Sequence, residues 1–186
     1  MLFSNKKEME ENLGKYGFFS SKNSNILVNK MKYLNGIEDF DNLEKKVSLD
    51  KASTGLRMRP NGIEIAIFYG LSTRYLGILY EDIKYWSFEN QEVVIKQSKS
   101  VIGRAVLGGL LLGSVGAVIG GMSGIGTKDV KLSKYDNIIF ICCRNNDKDH
   151  IISFSCSNKN IKTAYDYLYK NLPGKYKKLD DIKDEK

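Results

Sequence analysis

From Tyr33 onward the hydrophobic positions of the chain recur mostly at every second residue, the period of a half-buried β-strand. "KKVSLDK" alternates in this way, and so do the two arms of "GLRMRPNGIEIAIF". The "RPNG" between those arms has the composition of a tight hairpin turn. In "TRYLGILYEDIKYWSFEN" the apolar positions are Leu76, Ile78, Ile83, Tyr85 and Phe88, and the "YEDIKYW" step predicts a strand entering a bend and leaving again. "QEVVIKQS" adds a short strand. Farther on, "KDVKLSKYDNIIFICCRNNDKDHIISFSC" predicts a strand pair about "RNNDKD", whose Asn and Asp residues suit a turn. The period then changes. In "NKNIKTAYDYLYKNLPG", Ile161, Ala164, Tyr165, Leu168 and Leu172 fall on one face of a helix that Asn158 or Asn160 caps and Pro173-Gly174 stops.

Together these elements predict a mainly β fold with α: a small, strongly bent sheet or barrel capped by the C-terminal helix, whose face Ile161, Tyr165 and Leu168 plugs the open end. An all-β sandwich without the helix is the main rival. Residues 1–30 read as a leader, with one or two helical turns in "NKKEMEEN" and a loop whose Phe18 and Phe19 cover the barrel end or anchor a membrane or partner. Residues 173–186 read as a charged, frayed tail. The globular unit is 31–172, and it contains a foreign-looking stretch at 103–128.

That stretch is "GRAVLGGLLLGSVGAVIGGMSGIGTK". From Ala105 to Gly126 it runs 22 residues without a charge, eight of them glycine. It is not a phosphate loop, because Thr127 precedes Lys128 where the motif needs Lys first. On a helix, Gly109 and Gly113 share a face, as do Gly116, Gly120 and Gly124, giving smooth grooves that a second backbone approaches closely. Leu110, Leu111, Val115, Val118, Ile119 and Met122 form the opposite face. One helix of this length is about 33 Å long, enough to cross a bilayer core. The spacing break at Gly113-Ser114-Val115-Gly116 suggests instead two short helices folded back as an apolar hairpin. Either way the glycines cost roughly 1 kcal/mol each in helix propensity, so packing must order the segment, in lipid or in protein. The two uses expected of it are self-association and membrane insertion.

Composition changes this picture mainly through charge. The chain has 186 residues and a net charge of +7, which favours anionic partners, although no run of five or six basic residues stands out. Three cysteines, two of them adjacent, do not make a disulfide framework, and the N-terminus lacks a secretory h-region. The expected location is cytoplasmic, peripheral to or inserted in the inner membrane face. Chemistry is sparse. The one histidine, His150, falls in the hairpin loop "NNDKDHI" and reads as a solvated residue with no nucleophile placed near it. Cys142 and Cys143 point to opposite strand faces, so they cannot share a metal and read as small buried residues. Glu81, Asp82, Asp147 and Asp149 fall in turns without the spacing of a catalytic pair. Trp86 and Phe88 share a strand face and read as core, with a base-stacking platform as the alternative. No catalytic residue, metal or cofactor is assigned.

The segments "YLNGIEDF", "KKVSLD", "TGLRMRPNGIEI", "ILYEDIKYW" and "IGRAVLGGLLLGSVGAVIGGMSG" resemble bacterial pleckstrin-homology-like (GRAM-like) proteins, some of which carry a glycine-zipper insert. The resemblance covers about residues 31–172. It implies a bent seven-stranded barrel with a C-terminal helix and no enzymatic activity, and the family pattern fixes no catalytic residue. No Lys-rich headgroup signature stands between the first two strands; Arg57 and Arg59 are the nearest substitute. The expected function is a binding module that presents Arg57, Arg59, Lys96, Lys99, Arg104 and Lys128 to an anionic ligand or to anionic membrane lipids, working as a homo-oligomer or on a membrane. The rival is a soluble homo-oligomer that sequesters a charged small molecule such as a nucleotide signal, as a phage or defence accessory protein would. Nucleic acid is not the expected partner.

Overall fold

The computed structural model of the protein describes residues 2–3, 6–15, 26–36, 52–69, 71–90, 137–146, 148–178 and 181. They form β1 (Leu2–Phe3), α1 (Lys6–Leu13), β2 (Ile26–Val28), β3 (Lys32–Asn35), β4 (Ser53–Arg59), β5 (Gly62–Tyr69), β6 (Ser72–Leu79), β7 (Ile83–Asn90), β8 (Asn137–Asn145), β9 (Lys148–Cys156) and α2 (Asn158–Asn171). The ladders between these strands are antiparallel and build two sheets, ordered β1-β6-β5-β4-β2 and β3-β9-β8-β7. Both expected hairpins form. Arg59 pairs with Gly62 around Pro60-Asn61, and Asn145 pairs with Lys148 beside Asn146 at φ 49°.

The expected bent barrel resolves into two sheets, with no ladder closing it among the described residues. The reason lies at two corners. Residues 29–31 interrupt one strand run, with Asn29 at φ 58°, so β2 pairs with β4 in the first sheet while β3 pairs with β9 in the second. Thr54 fastens this corner: its carbonyl accepts the Asn29 N–H and its hydroxyl oxygen accepts the Tyr33 N–H, each at 3.0 Å. At the other corner Tyr80-Glu81-Asp82 turns the chain from β6 into β7, as "YEDIKYW" predicted. Strands that switch sheets at corners let each sheet keep its own ladder.

Leu56, Ile63, Ile65 and Ile78 of the first sheet share one core with Trp86, Ile141, Ile152 and Phe154 of the second. A register shift between Ile83 and Tyr85 lets both Ile83 and Trp86 face that core, which strict alternation forbids. The predicted face of α2 closes it: Ala164, Leu168 and Leu172 are buried, with Ile161 and Tyr165 packed alongside. The N-cap is Ser157 rather than the expected Asn158 or Asn160, and the Asn158 side-chain oxygen instead accepts from Asn137 at 2.9 Å.

The described residues near either end are fastened to the sheets. The Trp86 N–H donates to the Lys175 carbonyl at 2.8 Å and the Lys177 N–H to the Trp86 carbonyl at 3.0 Å. The start of the tail is thus pinned along the outer edge of β7 rather than frayed. At the other end, Met9 and Leu13 of α1 are fully buried on the first sheet. A Cβ at Gly77 would stand 2.7 Å from both side chains, so the missing side chain is the seat of the helix.

Gly36 follows β3 at φ +116°, where a Cβ would collide with the Ile151 backbone carbonyl. Gly174 after α2 is also left-handed, at φ +71°, but faces open space. Gly36→Ala is expected to lower unfolding free energy by about 2–4 kcal/mol, and Gly174→Ala by about 1–2 kcal/mol. Denaturant titrations of the two variants give the comparison.

Candidate functional site

The two-residue turn after Arg59 fixes the register that sets Arg57 opposite Glu64. Arg57, Arg59 and Glu64 therefore project from the same outer face of the first sheet. Arg59 and Glu64 are both buried. The Arg59 Nε donates to Glu64 Oε2 at 2.6 Å, Nη2 pairs with the same oxygen, and Nη1 donates to the Gly14 carbonyl at 3.0 Å. Beside it the Asn61 N–H donates to the Leu13 carbonyl at 3.0 Å and its side-chain amide to the Asn12 carbonyl at 3.2 Å. The carbonyls left open at the end of α1 are thus received by the β4–β5 turn. Arg59, expected to face an anion, is turned inward as a clamp, because the buried Glu64 carboxylate needs a partner. Arg57 alone of the two reaches solvent, its Nη1 3.8 Å from Glu64 Oε1.

Lys96, Lys99, Arg104 and Lys128, and the glycine-rich residues Gly109, Gly113, Gly116, Gly120, Gly124, Leu110, Leu111, Val118 and Ile119, lie outside the described residues. Their point of attachment does not. β7 ends at Asn90 and β8 begins at Asn137, and these two residues are direct cross-strand partners. Residues 91–136 leave and re-enter the fold side by side at one end of the second sheet.

The outer face of that sheet is a feature sequence reasoning missed. Phe140 lies between Ser87 and Ser153, Cys142 between Tyr85 and Ile151, and Ile138 beside Ser155. All are buried. β8 is buried at every position from Asn137 to Cys143, the mark of a strand covered on both faces. The unbroken apolar run "IIFICC" was the available signal.

Trp86 has no exposed surface and contacts Tyr165 of α2 and Tyr176 of the tail at centroid distances of 5.5 and 4.9 Å. It is core, as expected, and offers no stacking platform. Tyr169, stacked on Tyr165, is the exposed member of this aromatic cluster among the described residues, with Tyr165, Tyr176 and Phe88 half-buried.

Catalytic chemistry finds no constellation among the described residues. Cys142, Cys143 and Cys156 are free and buried. Burial raises all three thiols, Cys143 to about 12 and Cys156 to about 11, while the Tyr85 hydrogen bond opposes the rise at Cys142. His150, expected in the loop and solvated, lies instead on β9, half-buried opposite Cys143, because Asn145 already pairs with Lys148 and β9 begins there. Asp149 sits on the same strand, bound to Lys84 Nζ at 2.6 Å and 3.6 Å from Arg144 Nε. No group of three metal-ligating side chains occurs among the described residues, and no helix among them is long and apolar enough to cross a membrane.

Two antiparallel sheets sharing a strand run across one corner, closed by a C-terminal helix, define a pleckstrin-homology (PH)-like fold, the frame of a binding module. The chain belongs to the family of glycine zipper containing PH domains, which matches residues 18–157. No curated protein and no solved structure matches it. PH domains are generally non-catalytic modules that commonly bind lipids or anionic ligands.

Removing the Arg59 side chain strands Glu64 in the interior. Arg59→Ala is expected to cost about 3–5 kcal/mol of stability and Arg57→Ala under about 1 kcal/mol, as chemical denaturation will measure. The thiols give a pH dependence of definite sign. Above pH 9 the unfolded chain loses thiol protons that the fold retains, so stability falls as pH rises toward 11–12. The Cys143→Ala/Cys156→Ala variant should show a shallower fall than the parent in the same titration.

Proposed function

We propose that the protein is a non-enzymatic module for anionic membrane surfaces. The PH-like frame carries the glycine-rich run, whose flanking Lys96, Lys99, Arg104 and Lys128 engage headgroup phosphates while residues 105–126 enter the apolar layer. The observation that carries this reading is the attachment of the insert at the paired Asn90 and Asn137. Cationic residues on both sides of an uncharged run are thereby tethered to one end of one sheet. Of the two arginines expected beside the first hairpin turn, Arg59 is committed to Glu64 and Arg57 faces the same carboxylate.

Each cation near an anionic surface contributes about 1 kcal/mol. Exchanging Lys96, Lys99, Arg104 and Lys128 for glutamine should therefore reduce partitioning onto phosphatidylserine-containing vesicles by roughly two to three orders of magnitude. Co-sedimentation should also weaken with salt and vanish on deletion of 105–126. Equal binding to neutral phosphatidylcholine vesicles would contradict the proposal. So would a discrete detergent-free oligomer that ignores vesicles, which would favour self-association instead.

A further inference from the structure

The outer face of the second sheet is apolar at Ile138, Phe140, Cys142 and Ile151 and small at Ser87, Ser153 and Ser155. Neither of the helices among the described residues lies on it. α1 packs against β6 of the first sheet, and α2 closes the core on the opposite side. The face residues belong to neither of the hydrophobic clusters formed by described residues, yet Phe140 is only 3% and Ser87 0% exposed. The hydroxyls of Ser87 and Ser155 are buried without a hydrogen-bond partner among the described residues, a state that costs free energy unless an acceptor lies against them.

We propose that, away from a membrane, this face seats the chain's own glycine-rich run, residues 103–128. Three observations select this occupant. The run is tethered at Asn90 and Asn137 on the end of the same sheet, so its effective concentration over the face exceeds that of any free partner. It is uncharged from Ala105 to Gly126, as burial against Phe140 and Ile151 requires. The eight glycines between Ala105 and Gly126 let a backbone approach the serine floor closely and leave carbonyl oxygens unshielded by side chains, which are the acceptors that Ser87 and Ser155 lack. The seat would hide the run in water, and a bilayer would compete for it. The argument rests on the face alone and holds whether or not the run enters lipid.

Cys142 sits in the middle of the face, while Cys143 and Cys156 point into the core. These thiols make the test, without vesicles. Native alkylation with iodoacetamide, mapped by mass spectrometry, should leave Cys142 unreacted in the full chain. Replacing 103–128 by a Gly-Ser linker of equal length should speed its reaction at least tenfold, with Cys143 and Cys156 still protected as controls for folding. If all three react in the linker variant, the answer passes to the intact fold. There, Ser114→Cys or Ser123→Cys in a Cys143→Ala/Cys156→Ala background should form an intrachain disulfide with Cys142 under mild oxidation. Cys142 equally reactive in both proteins, or no intrachain disulfide from either position, would overturn the seat. Protection that disappears on dilution would assign the face to a second copy and overturn it too. Failure to bind vesicles touches only the membrane reading and moves none of these readouts.

Discussion

Two sheets that meet at corners enclose a core with an open side, and the fold depends on closing that side. The closure is made by α2, whose Ala164 and Leu168 are fully buried against strands from both sheets. A helix of this length is marginal by itself in water, so its order comes from that apolar face. The Tyr167 hydroxyl donates to the Leu56 carbonyl at 3.4 Å, tying the helix to the first sheet, while the Tyr165 ring lies against Trp86 of the second. Past Leu172 the chain doubles back and pairs with the backbone of Trp86. A row of open β7 donors and acceptors would otherwise invite another strand. Closure of the core and protection of the sheet edge are thus parts of one arrangement centred on Trp86.

Where α1 meets the first sheet the connection is electrostatic. One buried carboxylate, Glu64, meets the guanidinium of Arg59, and the same guanidinium donates to the carbonyl of Gly14. A buried ion pair is weak evidence of net stabilisation, since desolvation offsets much of its attraction. Its effect here is geometric: it fixes where α1 ends relative to the β4–β5 turn, with Leu13 set over Gly62 and Gly77.

Elements governed by local pattern were legible in the sequence. The face of α2 follows from spacing, and "RPNG" and "RNNDKD" mark the two hairpins that form. What escaped was set by contacts distant along the chain. Arg59 beside a turn reads as exposed; only the register, which sets Arg57 opposite Glu64, reveals an acid on the same face, and only α1 buries the pair. Gly62 and Gly77, unexplained within strand patterns, were the trace of the helix above them. Two sheets form where a barrel was expected because Asn29, in the stretch read as a leader, adopts a left-handed conformation between β2 and β3 and sends them to different sheets. Trp86 was legible as core, but not the tail that pairs with its backbone, because backbone pairing at a sheet edge leaves little mark on side-chain pattern.

The position of the insert follows a physical logic. Between β7 and β8 a long connection leaves intact the ladder from Trp86–Ile141 to the last pair, Asn90–Asn137. The frame can thus be completed without the run, and the run can change its surroundings without breaking a ladder hydrogen bond. β8 is the element that feels both. Its Ile139 and Ile141 belong to the core, and its Phe140 and Cys142 belong to the outer face. A strand apolar on both faces is costly to expose, so the same residues that anchor the core also require a cover outside it. On the seating proposed above, the glycine-rich run and the sheet that carries it would form two halves of one hydrophobic arrangement, joined at Asn90 and Asn137.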